Sequence, residues 1–445
     1  MGSFVPHTDA DIAAMLEFLG LSGLDELYAA VPAAIRCAGL ALPEALSEAD
    51  LVARLGALGA RNTSAGAVCF AGGGAYDHEV PAVVRALAGR SEFVTAYTPY
   101  QPEVAQGVLQ ALFEYQTMVA RLAGLEIANA SLYDGAAALV EATNLAVSTT
   151  GSPRVCCSQG VNPRWVEMLR TFAHGSGHEV EVIPLAAGVT DWGGLAPGRA
   201  GAVVVAYPNY LGILEDLAAA RAAADGLGAH LIVCQDPIAA GLLRSPGDAG
   251  ADVVVGEGQA LGNPLGFGGP YLGLFSCRAE HVRRLPGRLV GETVDVEGRR
   301  AYVTTLRARE QDIRREKASS NVCTNETLMA VTAAIQLGWL GTAGLREVAL
   351  RCARGTRYCR EALCAIPGVE LVFDAPVVRE FALRAPLAAE VIVDRLLAEG
   401  YLGGIPVREG FAGTAAEGAL LVAVTERRTA AEIDGFAAAF ARVIR

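Results

Sequence analysis

A chain of 445 residues, 52% hydrophobic and 19% charged, is long enough for two or three domains with cores of their own, which excludes a disulfide-stapled miniprotein and an extended disordered polymer. Its 36 basic against 48 acidic residues leave a net charge of −12, which argues against a broad nucleic-acid-binding face. Lys317 is the single lysine among those 36, so any imine between this chain and a carbonyl cofactor must form there, because arginine stays protonated.

The positive mean hydropathy, +0.34, fits a chain that buries part of its exterior against a partner. No run of 18 apolar residues is free of polar interruption, and the N-terminal MGSFVPHTDADI carries acids where a leader would be basic. The expectation is a soluble, cytoplasmic chain with no membrane segment. Its 10 cysteines include no C-x-x-C pair and several sit in apolar runs such as HLIVCQD, so they read as reduced structural thiols.

Residues 1–90 read as a helical arm, with Thr8 and Ser47 as caps, ending in the glycine-rich FAGGGAYDHEVP beside an aromatic and titratable side chains. A long helix is predicted next from Val108, Leu112, Tyr115, Val119 and Leu122, which recur at helical spacing after the aromatic loop AYTPYQPEV. From about 125 to 275 short β-rich runs alternate with helical spans: strands over 154–157, 179–184, 202–206, 230–234, 252–255 and 272–276, helices over 135–149, 163–173 and 215–227. That alternation predicts a mostly parallel sheet covered by helices. A polar, arginine-rich span over 286–317 follows, then helices over 325–338 and 344–364. The tail, with strands over 369–373, 380–384 and 419–425 and helices over 387–399 and 429–443, predicts a smaller α/β domain. The domains are thus 1–90, 91–325 and 326–445.

Several positions could carry chemistry. Asp236 ends the strand HLIVCQD at the carboxyl edge of the sheet, where open α/β proteins place ligand groups; it could hold a protonated pyridine nitrogen or only cap backbone amides. Ser131, Tyr133 and Asp134 precede a helix starting at Gly135, an arrangement that suits either an anion site or simple capping. His174 and His178 are four apart, but Gly175 and Gly177 should break the helix that would align them, so no metal is expected there.

Long stretches, among them YTPYQPEVAQGVLQALFEYQTM, ASLYDGA, CCSQGVNPRW, VVGEGQALG, LPGRLVGET and REQDIRREKASSNVCTN, closely resemble the glycine decarboxylase P-proteins of the glycine cleavage system, in particular the N-terminal (alpha) subunit of the two-subunit form. The resemblance covers nearly the whole chain. It implies an aspartate-aminotransferase-like fold (fold type I of the pyridoxal phosphate enzymes), with a helical arm, a large doubly wound domain and a smaller C-terminal α/β domain. Where enzymes of this class carry the cofactor lysine, this chain has Gln259, whose amide cannot act as an amine nucleophile. Asp236 and Gln259 then mark a vestigial cofactor site, and Lys317, 81 residues beyond Asp236, reads as a surface or interface charge.

What the resemblance implies is a division of labour, with no catalytic, cofactor-binding or metal residue on this chain. Pyridoxal phosphate would sit on the lysine of a homologous beta subunit, in a heterotetramer of two chains of each kind. The complex would decarboxylate glycine and pass the aminomethyl group to the lipoyl group of the H-protein. Tyr97, Tyr100 and Gln101, followed by Ser131, Tyr133 and Asp134, are the expected partner-facing residues. The alternatives are a self-sufficient pyridoxal enzyme using Lys317 and a noncatalytic docking protein.

Overall fold

Thr8 starts α1 (Asp9–Leu19) with a capping box in which Thr8 and Asp11 satisfy each other's backbone amides, and Ser47 accepts from the Asp50 amide at the head of α2 (Glu48–Gly59). Both caps are where the sequence places them. The computed structural model describes residues 6–37, 39–62, 66–408 and 410–445, so Met1–Val5, the start of the acid-bearing N-terminus, lie outside it. The chain forms two compact units, Met1–Thr63 and Ser64–Arg445.

The second unit opens with β1 (Val68–Cys69), α3 (Ala82–Ala88), α4 (Ser91–Val94) and α5 (Gln106–Ala123). Val108, Leu112, Tyr115 and Val119 are buried along one face of α5, as their spacing requires, and Leu122 is half-buried beside them.

A seven-stranded sheet follows. It is built from β2 (Ile127–Ala128), α6 (Gly135–Thr150), β3 (Arg154–Ser158), α7 (Pro163–Ser176), β4 (Glu179–Ile183), the ribbon β5 (Leu185–Ala186) and β6 (Val189–Thr190), β7 (Ala202–Tyr207), α8 (Leu217–Leu227), β8 (His230–Gln235), β9 (Val253–Glu257) and β10 (Gly273–Cys277). Its strand order is β2-β10-β9-β8-β7-β3-β4; the five strands from β9 to β4 run parallel, and β10 is antiparallel to both neighbours. Between their polar ends the central strands are apolar because helices cover both faces, and Val203, Val204, Leu231 and Ile232 are fully buried.

The polar, arginine-rich span, for which the sequence predicts no element, contains a hairpin, β11 (Leu289–Val294) paired with β12 (Arg300–Thr305), then α9 (Gln311–Arg314). Asp295 closes its turn by accepting from the Glu297 and Arg299 amides. The two helices expected over 325–364 are joined end to end as α10 (Thr327–Cys364), with a break at Gly341, whose φ is +57°. By length and composition α10 could cross a membrane, yet it packs against α3, α5 and α12 of this unit.

The tail comprises β13 (Glu370–Leu371), β14 (Glu380–Arg384), α11 (Ala389–Ala398), β15 (Tyr401–Leu402), β16 (Ile405–Pro406), β17 (Leu420–Ala423) and α12 (Ala430–Val443). Four of its strands form an antiparallel sheet in the order β13-β14-β17-β16 over a core that includes Phe381, Leu396, Val422, Phe436 and Phe440. Residues 68–88, expected in the arm, belong to this unit: β1 pairs in parallel with β15, and α3 packs on α10.

Candidate functional site

The carboxyl ends of β7, β8 and β9 and the head of α7 open into a cavity of about 740 Å³, mouth included, whose lining includes Tyr76, Trp165, Asp236, Gln259, Arg379 and Glu380. This is where an open parallel sheet places ligands. Asp236 follows β8 into it as the sequence suggests. Its Oδ1 accepts from the Ile238 and Ala239 amides at 2.9 and 3.3 Å, and its Oδ2 lies 2.5 Å from Nη2 of Arg379, which is only 4% exposed. Asp236 therefore caps backbone and also faces the cavity, but its counter-charge is an arginine of this chain.

Arg379 is the centre of a longer relay. Its Nη1 lies 2.5 Å from His78 Nε2, and His78 Nδ1 lies 2.6 Å from Glu426 Oε2. A guanidinium can only donate, so Nε2 of His78 accepts and the ring proton sits on Nδ1, donated to Glu426. Burial alone would raise the Glu426 carboxyl, but His78 and the Glu79 amide outweigh it and hold the group at about 2. Together with Cys352, His78 and Glu426 form the one group of metal-donor side chains found among the described residues. Burial pushes the Cys352 thiol well up, and both ring nitrogens of His78 are engaged, Nε2 by Arg379 and Nδ1 by Glu426, so the set does not offer three free ligand atoms to a metal ion.

Gln259 is 2% exposed and both ends of its amide are engaged: Oε1 accepts from the Tyr76 amide at 3.0 Å, while Nε2 donates to the carbonyls of Tyr76 and Asn263 at 3.1 and 2.7 Å. The Tyr76 ring covers Arg379, whose Cζ is 3.4 Å from the ring centroid, and the Tyr76 hydroxyl donates to Glu380 Oε2 at 2.7 Å. Glu380 Oε1 accepts from the Gly73 amide at 2.6 Å. Burial pushes the Glu380 carboxyl up to about 7 despite Tyr76 and Arg379 beside it.

At the head of α6, Glu257 accepts from the Gly135 amide at 2.9 Å, and also from the amides of Gln259 and Leu272, and Asp134 caps Ala137 at 2.7 Å. Two carboxylates thus take the donors that an anion would need, and capping, not an anion site, is the arrangement present. A Cβ on Gly135 would lie 2.2 Å from Trp165, so glycine there lets the indole reach the cavity wall.

Glu141, further along α6, gives a pH prediction. Burial pushes its carboxyl up to about 7, only partly offset by hydrogen bonds to Ser320 and Asn144. A raised folded-state value means stability that is complete below the unfolded value near 4.5 and is lost as pH rises through about 7. Glu141→Gln should therefore reduce the loss of unfolding free energy between about pH 5 and pH 8 by at most about 3 kcal/mol. Urea melts of both chains at the two pH values check it.

The other sequence-derived residues lie elsewhere. Tyr97 is 87% exposed, and Gln101 is exposed one residue after Tyr100. The Tyr100 ring lies between Arg288 and Arg307, with Cζ atoms 5.3 and 4.9 Å from its centroid, and its hydroxyl accepts from Arg288. Ser131 has φ +114° and is fully buried, its hydroxyl accepting from Asn325, which corrects its assignment to a partner-facing surface. The Tyr133 hydroxyl accepts from the Cys323 amide. Helix α7 continues through Gly175 and ends at Gly177, leaving His178 beyond it. Lys317 is exposed in the short turn Arg315–Lys317. Tyr76, His78, Glu257, Arg379, Glu380 and Glu426 escaped sequence reasoning; the AYDHEVP titratable cluster was the one signal for two of them.

Residues 2–440 match the family model for the glycine cleavage system P-protein. The chain belongs to the glycine cleavage system P-protein family. Within that family it is a homologue of proteins named probable glycine dehydrogenase (decarboxylating) subunit 1. The one from Desulforamulus reducens is 45% identical over 440 residues, covering 98% of both chains. That from Chlorobium limicola is 47% identical over 444 residues, covering 98% of this chain and 99% of the other. A crystal structure of glycine decarboxylase (P-protein) of the glycine cleavage system in inhibitor-bound form superposes with a TM-score of 0.94 at 46% identity, covering 99% of this chain and all of that one (100%). A cysteine desulfurase from Escherichia coli, 16% identical with a TM-score of 0.62 over 90% of this chain and 99% of its own, shares the fold alone. The P-protein fold is thus the aminotransferase-like α/β fold of type I pyridoxal phosphate enzymes. That cofactor does not fit the residues this P-protein homologue presents: Gln259 offers no amine, and Asp236 is already paired with Arg379.

Proposed function

We infer that this chain is the subunit of a two-subunit glycine dehydrogenase (decarboxylating) that supports the reaction without carrying its cofactor. A homologous partner holds pyridoxal phosphate on its own lysine, in a complex of two chains of each kind that decarboxylates glycine and delivers the aminomethyl group to the lipoyl group of an H-protein. The observation that carries the reading is Gln259, a buried amide bonded to backbone on both ends, at the position that the sequence resemblance matches to the cofactor lysine of this class. The exposed loop holding Tyr97 and Gln101, with Tyr100 braced by two arginines, supplies an amphipathic surface suited to the partner.

The test is reconstitution. This chain alone, its homologous partner alone, and the mixture are assayed for glycine-dependent CO2 exchange with lipoylated H-protein. Exchange in the mixture and none with this chain alone is the expected result; turnover by this chain alone would overturn the reading. Tyr97→Ala should weaken assembly in the mixture, measured by sedimentation, and unchanged assembly would remove Tyr97 from the interface.

A further inference from the structure

The polar groups facing the cavity are spent on one another. Asp236 uses both oxygens on the Ile238 and Ala239 amides and Arg379; Glu257 uses both on the Gly135, Gln259 and Leu272 amides. Gln259 uses its oxygen and nitrogen on the backbone of Tyr76 and Asn263, and Glu380 uses both oxygens on Gly73 and Tyr76. In this cluster Arg379 Nε is the atom left without a partner.

These bonds join distant parts of the chain. Asp236 and Gln259 stand just past the ends of β8 and β9; Arg379 and Glu380 stand at the start of β14; Tyr76 and His78 lie in the loop between β1 and α3; Glu426 follows β17. The loop after β7 adds a backbone contact, since Ile213 bridges to Val377 and the Asn209–Ile213 turn lies against Glu380. We propose that Arg379 supplies here the cation that a pyridine ring would supply opposite Asp236, and that with Tyr76, Gln259 and Glu257 it makes the cavity an internal clamp between the parallel strand ends and the four-stranded sheet, closed to pyridoxal phosphate. The clamp stands whether or not a partner carries the cofactor, so its failure and the failure of the subunit reading are separate results.

Buried ion pairs supply the distinguishing logic, because deleting one partner strands the other charge, whereas replacing both removes the penalty. Arg379→Met leaves the Asp236 carboxylate without its cation; the double variant Asp236→Asn, Arg379→Met does not. Hydrogen exchange reads the clamp directly, since the Gly73 and Tyr76 amides donate to Glu380 and Gln259. In the full wild-type chain these amides should exchange as slowly as those of β14. Arg379→Met should accelerate them by about a hundredfold or more, and the double variant should recover about tenfold or more of that. Wild-type amides exchanging like an exposed loop, no acceleration in Arg379→Met, or no recovery in the double variant would each overturn the clamp.

A second arm needs no folded variant of the clamp. Titrating wild-type chain with pyridoxal phosphate should give no saturable fluorescence quenching beyond that of the Trp165→Phe chain, whose missing indole lines the cavity. Saturable quenching that depends on Trp165 would show the cavity open and overturn the proposal.

Discussion

Gln259→Lys should not make this chain a pyridoxal enzyme: with added cofactor it should form no borohydride-reducible adduct at residue 259, and glycine turnover should stay at background. Lysine brings three donors and no acceptor, so the Tyr76 amide loses its partner at Gln259 Oε1. The new amine enters a wall where Asp236 is already neutralised by Arg379 and Glu257 already occupies the α6 amide. An unsatisfied buried donor and an amine forced to shed its charge together suggest a loss of about 3 kcal/mol in unfolding free energy. Mass mapping of the reduced chain and a urea melt check both halves. An adduct on residue 259 would mean that a lysine alone restores the site and that the surrounding bonds do not close it.

Gly212→Ala should be the most damaging of small substitutions near the cavity. A Cβ there would lie 1.8 Å from the Glu380 carbonyl oxygen and 2.5 Å from its carbon, and the residue has φ +83°. Backbone cannot swing aside as a side-chain end can, so the turn after β7 and the start of β14 must separate, drawing Glu380 away from Gly73 and Tyr76. The left-handed conformation adds its own cost for a residue with a Cβ. Together these suggest about 3 kcal/mol or more in unfolding free energy. Gly175→Ala is the control: it lies within α7 with open space around the position, and should be neutral or stabilising by up to about 1 kcal/mol. Equal melts for the two variants would contradict the close packing at Gly212.

Local patterning explains what the sequence made visible. The six sheet strands from β3 to β10 are short runs punctuated by turn residues, and each lies within two residues of its expected bounds, whereas the two-residue strands of the β5–β6 ribbon are too short to leave a pattern and were not expected. Helix starts at Thr8 and Ser47 were legible because a cap is a local hydrogen-bond requirement. The β11–β12 hairpin was obscured by its arginines and glutamates, since only Leu289 and Val290 of β11 turn into the core.

At the cavity the limit is chain distance. Gln259 and Asp236 could be placed because each follows a strand, but Arg379 meets Asp236 across 143 residues and His78 meets Glu426 across 348, and no spacing rule predicts such pairs. Ser131 misled for a related reason. A serine before a helix suggests an exposed hydroxyl, whereas the fold turns it inward to Asn325.

The central claim is that the amine of this reaction belongs to another chain. Borohydride reduction of the reconstituted complex in the presence of pyridoxal phosphate, followed by peptide mapping of both subunits, tests it most directly. The account predicts a pyridoxyl adduct on a lysine of the homologous partner and none on this chain; an adduct on Lys317 that accompanies glycine-dependent CO2 exchange would contradict it.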